Sequence, residues 1–265
     1  MRSIIGLAAL LLFFSSCNNK AKDQVVKDPG IDAQEKTMKD AIDKFPDSLL
    51  LKENLAQYYR DNGSYDMAIA MINNALKKDS NMARLWDIKA TLHLEDDDTL
   101  NAIRAFEKAI SIYPDPTDMI SVGALYAQTK DPKALALADA LLANSKARAG
   151  KEALFIKGLY YSYAGDKKKA IAFFDNCLAM DYTFMFAYRE KAIALYDSGK
   201  YEEALAVLDK AVTLQNSFDE GYYWMGRCFE KLNRNSAAIE SYRTALQYDP
   251  NFAEAKEALA RLGVK

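Results

Sequence analysis

The chain has 265 residues, 50% of them apolar and 27% charged, with a formal net charge of −2. That apolar content excludes a disordered chain, and the near-neutral balance lacks the basic excess of a nucleic-acid binder. Glycine and proline are scarce, which leans the chain towards helix.

Residues 1–16 stand apart. One positive charge at Arg2 precedes an unbroken run of small and apolar residues from Ile4 to Phe14. Eleven helical residues rise about 16 Å, roughly half of a bilayer core, so the run is too short to span a membrane. It has the build of a secretory signal peptide. Phe14–Ser15–Ser16–Cys17 resembles a bacterial lipobox, with Phe where Leu is usual. The resemblance implies cleavage before Cys17 and lipid on that cysteine, which would hold the protein at a membrane surface. The plainer reading is an ordinary cleaved signal in which Cys17 is incidental. Residues 17–30, rich in Lys and Asp and ending in Pro29–Gly30, read as a flexible tether.

From Leu49 onward a period of 34 residues appears without insertion or deletion. With Leu49 as position 1, position 20 is Ala68, Ala102, Ala136, Ala170, Ala204 and Ala238. Position 8 is Ala56, Ala90, Ala124, Gly158, Ala192 and Gly226, and position 27 is Ala75, Ala109, Ala143, Cys177, Ala211 and Ala245. Tiny side chains at fixed spacing mark where paired helices approach closely. Bulky residues fill around them, such as Trp86, Tyr188 and Tyr222 at position 4 and Phe106, Phe174 and Tyr242 at position 24. Turn residues recur near position 15, as in Asp61-Asn62-Gly63 and Ser198-Gly199-Lys200. Residues 31–48 carry Met38, Ala41 and Ile42 where a second helix of a preceding repeat would have them, and 253–265 reads as a capping helix.

This pattern resembles the tetratricopeptide repeat, most fully in Tyr222, Met225, Gly226, Phe229, Ala238, Tyr242, Ala245 and Pro250. The resemblance implies an all-α fold, an α-solenoid of six helix-turn-helix repeats (49–82, 83–116, 117–150, 151–184, 185–218 and 219–252). An N-terminal half repeat (31–48) and a C-terminal capping helix (253–265) complete the array over 31–265. It further implies a right-handed superhelix with a concave inner face. Repeat 117–150 has the least apolar volume, with Ala127 and Ala140 at packing positions. A softer joint and ordinary repeat degeneracy are equally open there.

Motifs for chemistry are sparse. The sole histidine, His93, falls at a packing position with no second His or Cys nearby in the pattern, so it reads as a half-buried core residue rather than a metal ligand. Glu95-Asp96-Asp97-Asp98 lacks the alternating ligands and glycine of a calcium loop. No phosphate loop, nucleophile elbow or Cys/His dyad occurs. Cys177 and Cys228, one and a half repeats apart, are expected as two free buried thiols. No enzyme and no cofactor is expected.

Helix periodicity puts positions 2, 5, 6, 9, 12 and 13 of each first helix on one face, and in the family that face lines the concave groove. In repeats 1 to 3 those positions hold no aromatic residue; in repeats 4 to 6 they hold six. Aromatics and arginine dominate interface hot spots. Phe155, Tyr163, Phe186, Tyr196, Tyr223 and Trp224, edged by Arg189, Arg227 and Lys231, are therefore expected to form a continuous partner-binding strip for an apolar segment of some acidic character. The competing reading is that positions 5, 6 and 9 only cement neighbouring first helices. The polar first half would face the tether or serve a second partner. The family's clamp for a terminal carboxylate needs Lys and Asn at set positions of consecutive repeats, and no trio of repeats here supplies it.

The expected function is a lipid-anchored scaffold of the bacterial envelope, bound to the outer membrane and facing the periplasm, that holds a segment of another envelope protein. In architecture it resembles six-repeat pilotins and the envelope adaptors that dock peptidoglycan enzymes. A self-assembling structural module is the alternative, and an enzyme or metal protein around His93 a more distant one.

Overall fold

The structure is a computed structural model that describes residues 29–264. Cys17 and the segments expected as signal peptide and tether lie outside the described residues, apart from Pro29 and Gly30. Those residues form helices and no strand: α1 (Pro29–Lys44), α2 (Leu49–Asp61), α3 (Tyr65–Leu76), α4 (Ala83–Glu95), α5 (Thr99–Ile112), α6 (Pro116–Gln128), α7 (Lys133–Tyr163), α8 (Lys167–Met180), α9 (Met185–Asp197), α10 (Tyr201–Leu214), α11 (Asp219–Lys231), α12 (Asn235–Tyr248) and α13 (Ala253–Arg261). The fold class is the expected all-α solenoid of helical hairpins. α1 starts at Pro29, two residues ahead of expectation, because a proline at the first helical position gives up no hydrogen bond and arrives with its φ already set.

The chain divides into two compact units, one ending at Leu125 and the other beginning at Tyr126. In the first, Leu55, Ile72, Leu85 and Leu92 are almost wholly buried, with Met38 and Ile42 of α1 packed against them. In the second, Phe174, Leu208 and Tyr242 are fully enclosed, and Ala255 and Ala258 of α13 join Tyr242 in one cluster.

Close approach of paired helices explains the small residues. Ala68, Ala102, Ala170, Ala204 and Ala238 have no exposed surface. A Cβ on Gly226 would stand 2.5 Å from Cε1 of Tyr242, and one on Gly158 would collide with Phe174. The turns repeat as well: Gly63, Asp97, Gly165, Gly199 and Asn233 all have positive φ, and all sit at position 15 of the frame.

The third repeat departs from the frame. Its left-handed turn residue is Lys130, one position early. Ala136 and Ala143, expected in the close contact, are exposed. Ala134, Ala138 and Leu141 are fully buried instead, a displacement of two residues. Two prolines account for this. Pro116 opens α6 one residue early, with the Asp115 carboxylate accepting from the Thr117 amide at 2.8 Å. Pro132, at φ −61°, sets the start of α7, with Asp131 accepting from the Lys133 amide at 2.9 Å. The register recovers where α7 kinks at Ser145 and Ala149, both with φ near −140°. The period is therefore unbroken in length while the packing inside one repeat is displaced.

Cys177 and Cys228 are buried and unpaired, as expected. Burial pushes both thiols up to about 12. His93 is half-buried, its Nδ1 3.4 Å from a carboxylate oxygen of Asp98, and burial lowers its pKa.

Candidate functional site

The expected strip in the second unit is interrupted at Phe155 and Arg189. Phe155 is 2% exposed and sits in a ring cluster with Phe174 at 5.7 Å and Phe184 at 5.3 Å. Arg189 is 3% exposed, its Nη1 donating to both carboxylate oxygens of Glu220 at 2.7 and 2.8 Å and its Nε to Glu190 at 3.1 Å. Both are therefore core residues rather than groove residues, because position 5 of one first helix lies against position 2 of the next. Glu190 is buried beside them; burial raises its pKa, while Arg189 pulls it down. Burial also raises the pKa of Tyr163, a half-buried phenol. Phe186 packs edge-on to Phe184, under the Arg189 guanidinium.

Of the remaining five, Tyr196, Tyr223, Trp224 and Arg227 are spent largely on one another. The Arg227 guanidinium lies 5.3 Å from the Trp224 ring, 5.4 Å from Tyr196 and 5.8 Å from Tyr223. It donates to the Tyr223 hydroxyl at 3.0 Å and the Tyr196 hydroxyl at 3.4 Å. Tyr223 also packs against Phe252, ring centroids 4.9 Å apart and tilted by 38°. A pocket of about 480 Å³ remains beside them, lined by Tyr196, Tyr223, Arg227 and exposed Lys231 together with Glu230, Glu254, Glu257 and Arg261. Trp224 does not line it.

A larger groove, of about 710 Å³, lies in the first unit on the faces of α2, α4 and α6. Leu50, Ile88, Leu94, Phe106 and Tyr113 give it apolar surface, and Glu53, Asp87, Asp115 and Asp118 bring four carboxyls. Its two arginines are already engaged. Arg60 donates through Nε to Glu95 at 2.6 Å, and Arg84 donates to Glu53 at 2.8 Å. The other oxygen of Glu53, Oε1, is buried without a hydrogen-bond partner. Asp118 is 8% exposed and shares a hydrogen bond with Asp87. Burial pushes Asp118 up to about 8, helped by the charge and hydrogen bond of Asp87 and by Asp115. Burial raises Asp87 too, while the hydrogen bond from Asp118 and the charge of Arg84 hold it down. At neutral pH Asp118 therefore keeps its proton, and the hydrogen bond places it between the two carboxyls.

Three family models, each described as tetratricopeptide repeat, match residues 53–116, 151–184 and 195–262. The chain belongs to the tetratricopeptide repeat family. It is 23% identical over 226 residues to stress-induced-phosphoprotein 1 of Caenorhabditis elegans, covering 83% of this chain and 68% of that protein. It is 23% identical over 256 residues to superkiller complex protein 3 of Homo sapiens, covering 92% of this chain but only 16% of the relative. The Hsp70-Hsp90 organizing protein of Triticum aestivum is 24% identical over 78% of this chain, which spans 36% of that relative. Among solved structures, a tetratricopeptide repeat protein from Parabacteroides merdae superimposes with a TM-score of 0.72, at 19% identity, over 88% of this chain and 92% of its own. PilW, a type IV pilus biogenesis factor, gives 0.63 at 23% identity, over 79% and 97%. These two likenesses concern the fold.

The repeat frame explains why the two tetratricopeptide grooves differ. Contacts between consecutive first helices recur 31 residues apart, from position 5 to position 2 of the next repeat. Glu53 meets Arg84, and Arg189 meets Glu220, each an ion pair. Asp87 meets Asp118 on the same rung, and there two acids face each other. Reading the sequence at that interval reveals the pair. Asp115 and Tyr113 come from the segment leading into α6, which a reading of helix faces does not cover.

Proposed function

We propose that this chain is a lipid-anchored tetratricopeptide repeat adaptor that holds an extended segment of another envelope protein in the α2/α4/α6 groove. The observation that carries this reading is the groove itself. Its volume of about 710 Å³ lies within the range of ligand clefts, and it combines apolar surface with three carboxyls, Asp87, Asp115 and Asp118, that form no salt bridge among the described residues. Family membership supports it, since tetratricopeptide repeats mediate contacts between proteins; one relative is named for organising Hsp70 and Hsp90. The anchor rests on the lipobox-like Phe14–Cys17, and outer-membrane placement facing the periplasm on Asn18 after the cysteine. Cys17→Ser should release the chain from the membrane fraction or leave the precursor uncleaved. The pocket beside Arg227 and Lys231 is kept as a second, smaller contact surface, because its lining carries rings and cations together.

The test is an array of capped peptides probed with the full chain in detergent. Thr91→Trp and Asn54→Trp fill the groove from its rim without entering the core. They should cut capture at least about thirty-fold, the scale of losing one interface hot spot, while Arg243→Ala, at an exposed position of α12, leaves it unchanged. Capture that ignores both tryptophans would place the contact elsewhere.

A further inference from the structure

We propose that the segment held in this groove presents a lysine or arginine to the Asp87–Asp118 pair, and that its docking expels one proton from the pair. This rests on the groove reading above and goes further by naming the chemistry that the groove selects.

The carboxyl inventory sets the sign of the ligand. Among the described residues no lysine or arginine forms an ion pair with Asp87, Asp115 or Asp118. The arginines within reach are committed, Arg84 to Glu53 on the neighbouring rung and Arg60 to Glu95. The groups facing the pair are thus Asp115 at the start of α6, Arg84 on α4 and, through Arg84, Glu53 on α2. An anionic ligand or a terminal carboxylate would meet the repulsion of Asp87, Asp115 and Asp118 there, with both lining arginines already paired to glutamates. A bound metal ion fits poorly, since among the described residues no three His, Cys, Asp or Glu side chains converge to hold one. A basic side chain fits: its apolar stem has Leu50 and Ile88 to lie against, and its head needs several acceptors at once.

The proton balance follows. In the free groove the Asp118 O–H donates to the Asp87 carboxylate. When an ammonium or guanidinium enters, it donates to both carboxylates, the Asp118 O–H bond breaks, and that proton passes to solvent. No other bond changes. Because Asp118 is pushed up to about 8 in the free protein, docking near neutral pH must release a proton, and affinity rises with pH until the free pair is fully ionised.

Calorimetry on the full chain in detergent tests this. The probe is a capped nonapeptide of Leu and Ala with one central Lys, compared with the same peptide carrying norleucine or Glu at that place. The lysine peptide should bind at least about tenfold more tightly than the norleucine one, the scale of a charge-assisted contact. Its heat in phosphate and in Tris should differ by the release of about one proton. Asp118→Asn keeps the shape of the pair without a titratable proton; it should abolish the buffer dependence and flatten the affinity between about pH 6 and 8. A lysine peptide that binds in a Thr91→Trp-sensitive way but releases no proton, or binds no better than norleucine, overturns the proposal and leaves the groove reading standing. Preference for the Glu peptide also overturns it. If no peptide binds and Thr91→Trp instead dissociates a dimer of the chain, the groove reading fails and takes this proposal with it.

Discussion

The two units use the same rung of the repeat for opposite ends. In the second, Arg189 and Glu220 close the rung between α9 and α11, and Phe155 fills the corresponding place one repeat earlier. Charge and ring surface there are consumed inside the stack. In the first unit the rung between α4 and α6 holds Asp87 and Asp118, two acids that relieve their repulsion only by sharing a proton. A complementary rung cements neighbours and leaves little for a ligand. An unmatched one can exchange its shared proton for a bound cation, and the larger groove lies over it.

Breaking the complementary rung should have the largest effect. Arg189→Met keeps volume but strips Glu190 and Glu220 of their cation, and Glu190 is buried. The expected cost is about 3–5 kcal/mol, the scale for leaving a buried charge unpaired. Guanidinium unfolding should show it, with hydrogen exchange accelerated in α9 and α11 and unchanged in α2 to α4. An effect under about 1 kcal/mol would mean that the rung is a dispensable surface pair.

Next in size comes Tyr223→Ala. Its ring packs against Phe252, Tyr242 and Trp224, and its hydroxyl accepts from Arg227. Truncating a half-buried ring with these contacts should cost about 2–3 kcal/mol, below the range for a fully buried one. Thermal melting reads the loss directly. If stability holds while peptide capture falls, the ring belongs to a binding face after all, and the contrast between the units weakens.

Much of the fold was legible because close helix packing demands tiny side chains at fixed places, and the alanines and glycines at positions 8, 20 and 27, with Cys177 once in their stead, occupy those places in five of the repeats. The third repeat hid its register because α7 carries Ala134, Ala136, Ala138 and Ala140 on alternate positions, so more than one register offers alanines to the contact. Pro116 and Pro132 decided between registers, and that decision belongs to local backbone geometry, which counting by 34 does not see. The site was legible only in part. Periodicity identifies which residues share a helix face but not what the neighbouring helix sets opposite them. Phe155 and Arg189 were thus read as exposed, and Asp87 and Asp118 passed as ordinary polar groove positions.

The last expected effect has the opposite sign and tests the first unit alone. The ordinary aspartate value of 3.8 marks where Asp118 ionises in the unfolded chain, whereas in the fold it ionises at about 8. Below the lower value both states hold the proton, and the stability contributed by the folded pair is intact. As pH rises between the two values the unfolded chain loses the proton and the folded chain keeps it, so stability falls, and the loss is complete once the folded carboxyl ionises. Asp118→Asn has no proton to lose, and its amide still donates to Asp87. The variant should match the parent near pH 4 and melt progressively higher than it towards pH 8 and beyond. A gain of about 1 kcal/mol corresponds to roughly 2–4 °C in a chain of this size. Melting curves taken along that pH series decide the matter. A constant offset at every pH would mean that Asp118 ionises alike in both states, and a gap that narrows with rising pH would reverse the assignment of the proton. If the gap widens as expected, the same substitution that firms the first unit should remove the groove's preference for a basic segment, since the stability it recovers is the repulsion that a bound cation would otherwise relieve.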